Sequence, residues 1–279
     1  MPDDMTAFKK VKSFLLLSLA LLFLAGACGS KNEEAFLQEA DAHFAKGSPD
    51  KAVQTYRDYL NEFPRGRFRD QALLRKGEIL YYVLGKKGPA VQAFSRLVLD
   101  YPLSEPSFQA REILAAIYRD ETADYLRAVI EYRWLLNHRP ANKKADEYHY
   151  QIGHCFFLAN RLEQAIMEYK LFIEGYPESR FVERAYNELG GAYMILKQPE
   201  QALSVFKTAI DRFPESSLRP TMDFKTAECY EAMDRLDEAL AQYQYVREMY
   251  DNWPAVDIRI KGVESRQKSK QGRARKGNK

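Results

Sequence analysis

The chain repeats itself, and that limits what it can fold into more than any other feature. Ala52, Ala90, Ala128, Ala165, Ala202 and Ala239 recur at spacings of 38, 38, 37, 37 and 37 residues. Four residues after each stands an aromatic: Tyr56, Phe94, Tyr132, Tyr169, Phe206 and Tyr243. With 13% aromatic residues in the chain, six matches in six arise by chance roughly five times in a million. Twelve residues after the Ala comes Pro64, Pro102, Pro140, Pro177 and Pro214, with Asp251 in the sixth unit and Pro254 three later. Twelve before it stands Ala40, Ala116, Gly153, Gly190 or Ala227, the exception being Glu78 beside Gly77. A period of this length means stacked supersecondary units held by their neighbours, and it excludes one central core.

Each feature has a mechanical reason in a helix-turn-helix unit. The small residue of the first helix and the Ala of the second let two axes approach closely. The aromatic one turn on fills the space toward the next unit. Proline cannot continue a helix and ends the second one. Gly47-Ser-Pro-Asp50 and Gly85-Lys-Lys-Gly88 carry turn signals between the helices, and Pro49 and Pro199 fall where a first helical residue tolerates proline. The fold class is therefore all-α.

The fifth unit, Tyr186-x-x-Leu189-Gly190-x-x-Tyr193 followed by Ala202-x3-Phe206-x7-Pro214, resembles a tetratricopeptide repeat, and the resemblance spans 33–254. It implies a right-handed α-solenoid of about six repeats, each three or so residues longer than the usual 34. The extra length follows the proline, in Tyr176-Pro-Glu-Ser-Arg-Phe181 and Phe213-Pro-Glu-Ser-Ser-Leu218. Joints of this kind are similar to those of envelope tetratricopeptide proteins of the BamD and CpoB types.

The first 27 residues read as an address. Lys9, Lys10 and Lys12 precede an apolar run from Phe14 to Ala25, shorter than the roughly 20 residues needed to span a bilayer. Leu24-Ala25-Gly26-Ala27-Cys28 resembles the lipobox of bacterial lipoproteins, which implies lipid attachment at Cys28 and a short anchored linker over 28–32. A plain secretory signal cut near Cys28 is the alternative. Gly29 and Ser30 after the Cys, where an Asp would imply inner-membrane retention, place the expected protein at the outer membrane, facing the periplasm. Cys155 and Cys229 then lie in an oxidising compartment, but they occupy units two apart, too distant for a disulfide, and read as small core residues.

Charge divides the chain further. Of the net +3, residues 1–28 carry +1 and 255–279 carry +7, which leaves −5 for 29–254. The tail lacks apolar periodicity beyond Gly262 and is expected to be disordered. Met249, Tyr250, Trp253 and Pro254 are expected to close the array with apolar bulk.

No catalytic arrangement emerges. His149 and His154 are five apart and share no helical face with Cys155 as a metal site would require, and phosphate-cradling loops and nucleophile motifs are missing. The reading is a non-enzymatic scaffold with no cofactor and no metal, and export disfavours nucleic acid. Its partners are other envelope proteins or their peptide segments. By the resemblance, the face formed by the first helices binds them, which places Arg75, Tyr82, Tyr150, His154, Phe157, Arg184, Asn187, Met194, Phe224 and Glu228 on or near a partner groove. For Tyr82, Phe157 and Met194, packing between repeats is the competing role. Assembly of outer-membrane proteins, BamD-like, is the role expected first; a CpoB-like adaptor linking cell-wall synthesis or division to Tol-Pal is the second.

Overall fold

The computed structural model describes residues 33–139 and 142–277. The signal segment 1–27, Cys28 and the linker to residue 32 lie outside the described residues. No strand occurs among those described, and no helix there is long and apolar enough to cross a membrane. The helices pair in chain order. Six first helices, α1 (33–45), α3 (Arg69–Glu78), α5 (Glu105–Asp120), α7 (Ala145–Leu158), α9 (Val182–Ile195) and α11 (Arg219–Ala232), alternate with second helices. The second helices are α2 (Pro49–Glu62), α4 (Lys87–Asp100), α6 (Tyr125–His138), α8 (Leu162–Gly175), α10 (Pro199–Arg212) and α12 (Leu236–Val246). A final helix, α13, runs Trp253–Gly277. Contacts divide the chain into two compact bodies, one ending at Leu114 and one starting at Ala115.

All six anchor alanines and all six aromatics are buried. The aromatic ring, however, does not serve only the neighbouring repeat. It lies on the small residue of its own first helix: a Cβ added to Gly77 would sit 2.5 Å from Phe94, one on Gly153 2.8 Å from Tyr169, and one on Gly190 2.4 Å from Phe206. Glycine is there because a methyl group and the ring need the same volume.

The exception at Glu78 also resolves. Gly77, thirteen residues before Ala90, takes the small-residue place, and α3 continues as a π-helical turn over Ile79–Val83 that absorbs the additional residue. Leu84 N–H donates to Ile79 O, five residues back, at 3.0 Å. In the third unit Ala115, fully buried, replaces the half-buried Ala116 as the packed small residue, within a regular α-helix over Glu105–Asp120. One inserted residue per helix is the ordinary origin of a π turn.

Five residues before every anchor Ala the backbone is left-handed. Gly47 and Gly85 have φ of 72° and 64°, and Ala123, Asn160, Lys197 and Asp234 have φ of 52°, 56°, 57° and 61°. Each ends a first helix, and the two or three residues around it fold back onto carbonyls of the last turn, as Gln198 N–H does on Tyr193 O at 2.9 Å. The two glycines announced this in the sequence. The other four positions did not, because a tight connection imposes the conformation on whatever residue stands there.

The joints between repeats are proline turns. In Phe63–Gly66, Tyr101–Ser104, Tyr176–Ser179 and Phe213–Ser216 the fourth N–H donates to the first carbonyl at 3.0 to 3.1 Å, with proline second, where its fixed φ suits the turn. Ser179 Oγ accepts from Phe181 N–H at 3.2 Å and donates to Asp146 at 2.7 Å, and Ser216 likewise accepts from Leu218 N–H and donates to Glu183. In these two joints the serine ties the turn to the start of the first helix of the repeat just completed.

The tail expected to be disordered is helical. Val256 and Val263, seven apart, are fully buried, and on the same side Arg259, Arg266 and Lys270 meet acidic residues of α11 and the turn after it. A helix held by two valines and a row of ion pairs has too little apolar periodicity to be seen in sequence. The apolar closure is smaller than expected too: Tyr250 stacks on Phe224 at 4.8 Å, while Met249 and Trp253 remain 42% and 54% exposed.

Two outcomes test this account by urea unfolding. Ala replacing Gly in a helix ordinarily adds about 1 kcal/mol, whereas Gly190→Ala should destabilise by about 1–3 kcal/mol through overpacking, and Phe206→Leu in the same chain should recover part of the loss. Lys197→Gly should stabilise by about 1 kcal/mol, because it removes a side chain from a left-handed position; a destabilisation would show that this turn is not strained.

A candidate peptide groove on the first helices

In the second body three successive first helices bring polar and aromatic groups to one cavity of about 380 Å³. Arg119 and Asp120 enter from α5, Tyr150, Gln151 and His154 from α7, Arg184, Asn187 and Glu188 from α9, and Leu218 from the residue before α11. They meet because positions 37 residues apart repeat on the same face: Gln151, Glu188 and Lys225 form one such row, and Tyr150, Asn187 and Phe224 another.

Glu188 is the hub. Its carboxylate accepts from Tyr150 Oη at 2.9 Å, from Tyr169 Oη, and from His154 Nδ1 at 2.9 Å. Burial pushes the Glu188 carboxyl up, but His154 and the two tyrosine hydroxyls outweigh it and hold the group below the usual carboxylate range. Burial and Glu188 together raise the Tyr150 and Tyr169 hydroxyls, which stay protonated donors. Tyr150 itself is 3% exposed and lies as a plate between Phe181 at 4.9 Å and His154 at 5.8 Å, both nearly parallel to it.

Across the cavity Arg119 clasps Asp120 through two bonds of 2.6 and 2.7 Å and donates to Tyr132 Oη at 3.1 Å. That guanidinium holds the Asp120 carboxyl below its usual range. Lys225 Nζ donates to Asn187 Oδ1 at 2.9 Å, which aims the Asn187 amide nitrogen away from that contact. Three groups here lack protein partners among the described residues: the exposed Arg184 guanidinium, the Asn187 amide nitrogen and the buried Gln151 Oε1. A cation, a donor and an acceptor lined up beside aromatic plates match the alternating carbonyls and amides of a peptide chain and its carboxylates.

Of the ten residues expected in the groove, the eight in the second body are not all brought to one cavity. Tyr150, His154, Arg184 and Asn187 come together as described. Met194 and Glu228 line a separate cavity of about 250 Å³ with Glu231, Ala232, Arg259 and Arg266. There Arg259 donates to Glu228 at 2.8 Å, so this carboxylate is neutralised within the chain. Phe224 packs on Tyr250 and Tyr243, and its role is closure of the array. Phe157 is half-buried and lines none of these cavities. In the first body Arg75 lines a cavity of about 420 Å³ with Asp41, Tyr56 and Glu78, and it pairs with Glu78 at 3.1 Å. Tyr82, in the π turn, is 66% exposed and packs edge-on against Tyr81.

Sequence reading missed Glu188, Arg119, Asp120 and Gln151. The available signal was the 37-residue row joining Gln151, Glu188 and Lys225, three polar residues preceding the buried small-residue position by two. Cys155 and Cys229 are buried free thiols, each pushed up to about 12 by burial, as core residues should be. No group of three or more His, Cys, Asp and Glu among the described residues is arranged to hold a metal ion.

The architecture defines a class, the helix-turn-helix repeat proteins. Family models for the tetratricopeptide repeat match residues 34–65 and 71–104, and a further one matches 187–255. Those segments carry tetratricopeptide repeats. Among solved structures it is similar to a tetratricopeptide repeat protein from Parabacteroides merdae, with 17% identity, a TM-score of 0.52, and coverage of 84% of this chain and 88% of that one. It also matches PilW, described as a type IV pilus biogenesis factor, with 17% identity, a TM-score of 0.48, and coverage of 80% and 97%. MamA from Desulfovibrio magneticus matches with 18% identity, a TM-score of 0.46, and coverage of 66% and 97%. Comparison with curated proteins finds no match. The likeness to the Parabacteroides merdae protein is one of fold, and the repeat models support a scaffold for protein partners.

The hub predicts the response to acid. A carboxyl held low in the fold adds stability that is complete above its unfolded value, about 4.3, and is lost as pH falls through the folded one. Glu188→Gln should therefore cost about 2 kcal/mol at neutral pH and flatten the acid side of the stability profile, read as urea midpoint against pH. An unchanged acid limb in the variant would remove Glu188 from this role.

Proposed function

We propose that the chain is a lipid-anchored scaffold of the cell envelope whose second body holds a segment of a partner protein along α5, α7 and α9. The observation that carries it is the set of unpartnered groups at Arg184, Asn187 and Gln151 beside the Tyr150 and His154 plates. The compartment rests on the sequence: the signal over 1–27, the lipobox ending in Cys28, and Gly29 and Ser30 after it, which fit the outer membrane and a periplasm-facing array. Two or more acyl chains suffice for stable anchoring where one does not.

The role this reading favours is support of outer-membrane protein assembly, as in BamD-type lipoproteins, since both features, anchor and array, are combined there. A CpoB-like adaptor between cell-wall synthesis or division and Tol-Pal is the alternative; the Tyr-Pro-x-Ser-x-Phe joint at 176–181 resembles those of both types, and the lipobox favours the first. The partner's identity separates the two.

A photo-crosslinking residue at Arg184 or Asn187, introduced in cells, should capture a barrel-assembly component under the first reading and a peptidoglycan enzyme or Tol-Pal component under the second. The exposed Ser204 on α10 is the control, and equal capture from it means the groove is not the docking face. Intact mass of the membrane fraction should show lipid on Cys28, and Cys28→Ala should release a folded, soluble protein. A wild type that is equally soluble refutes the anchor.

A further inference from the structure

Two adjacent glycines stand in α9, and packing accounts for one of them. A Cβ on Gly190 would lie 2.4 Å from Phe206, whereas one on Gly191 would meet nothing nearer than Lys225 Nζ at 3.9 Å. A glycine in a helix interior weakens the helix relative to alanine, and no contact among the described residues requires one at 191. Gly191 is half-buried and shares a face of α9 with Arg184, Asn187 and Met194. In the 37-residue row it stands between His154, which lines the cavity of about 380 Å³, and Glu228, which lines that of about 250 Å³. The row therefore has a notch at Gly191, where its neighbours carry side chains.

Three and four residues further on, the ends of α7 and α9 turn apolar, with Phe157 and Leu158 on one and Met194 and Ile195 on the other. Leu158 and Ile195 are 40% and 55% exposed. The same rows are polar in the repeats on either side, and there the charges are satisfied within the chain: Asp120 by Arg119, and Glu231 by Arg266. At the other end of this face the Arg184 guanidinium is exposed and has no partner among the described residues.

We propose that the notch over Gly191 receives a large apolar side chain of the partner segment, while an acidic residue of the same segment pairs with Arg184. The inference rests on the groove reading above and adds what the segment must contain. The bordering apolar residues favour a leucine or an aromatic ring in the notch, and Lys225 Nζ repels a basic side chain there. From Arg184 to Gly191 the helix rises about 10 Å, which about two to four residues of extended chain cover. The acidic and apolar residues of the partner are therefore that far apart.

The test selects a random peptide library on the full chain carrying Cys28→Ala. Binding to the apolar N-terminal run is common to all variants and cancels in the comparison. Selected peptides should combine Asp or Glu with a large apolar residue at that spacing, and Gly191→Leu should lower their affinity at least about tenfold by filling the notch. Gly191→Ala should raise the urea midpoint and still weaken binding, because the added methyl group favours the helix and occupies the same space. Loss of binding in a more stable chain does not come from damage to the fold, and a lowered midpoint would show that Gly191 is there for packing and overturn the proposal. Peptides that lose affinity in Arg184→Gln and keep it in Gly191→Leu overturn it too, and leave the groove reading standing. Peptides indifferent to both variants, or a library without binders, overturn both. A wild-type dimer that Gly191→Leu dissociates also refutes the inference, since the occupant is then a second copy of the chain.

Discussion

The contact on which the array depends is an aromatic ring pressed against a residue with no side chain. Phe94 on Gly77, Tyr169 on Gly153 and Phe206 on Gly190 bring the two helices of a repeat close enough for the ring to be fully buried by its own pair. Packing of this density has no slack, so the distance between small residue and ring along the chain must be kept. Where the second repeat contains one residue more, the helix yields and the contact does not: a π turn over Ile79–Val83 takes up the difference.

The tyrosines among those rings link packing to function. A phenylalanine at this position, as in Phe94 and Phe206, completes the core and ends there. A tyrosine also carries a hydroxyl that must find a partner when buried. Tyr56 donates to Asp41, Tyr169 to Glu188 and Tyr243 to Glu231, and Tyr132 accepts from Arg119. Each partner belongs to a first helix, so the core aromatics set the orientation of polar groups on the face that lines the cavities. Glu188 is fixed in this way from below and by Tyr150 and His154 from the side, which leaves Arg184 and Asn187 on the same helix as the groups with bonding capacity to offer.

Charge is organised by the same geometry. Rows of residues 37 apart place like positions of neighbouring repeats beside each other, and polar groups of adjacent rows are satisfied across repeats within the chain, as Lys225 is by Asn187. At the end of the array there is no further repeat, and α13 supplies the complement. Its arginines fill the positions next to Glu228 and Glu231 that a partner was expected to occupy. The groove is thereby shortened to the cavity around Glu188.

The sequence alone determined the six units, their helical class, the anchor alanines and aromatics, and the proline joints, because each of these is a local or periodic constraint written once per repeat. It also placed Tyr150, His154, Arg184 and Asn187 on one face, as the repeat register requires, and they line one cavity. Only the tertiary structure decided that Gly77 and Ala115 replace Glu78 and Ala116, that Ala123, Asn160, Lys197 and Asp234 are left-handed, that Glu188 joins the site, and that the basic tail is a helix. The physical reason is common to all four. They are settled by side chains and backbone meeting from separate helices, where an ion pair, a ring or a closed turn outweighs local preference, and no single stretch of sequence contains both halves of such a contact.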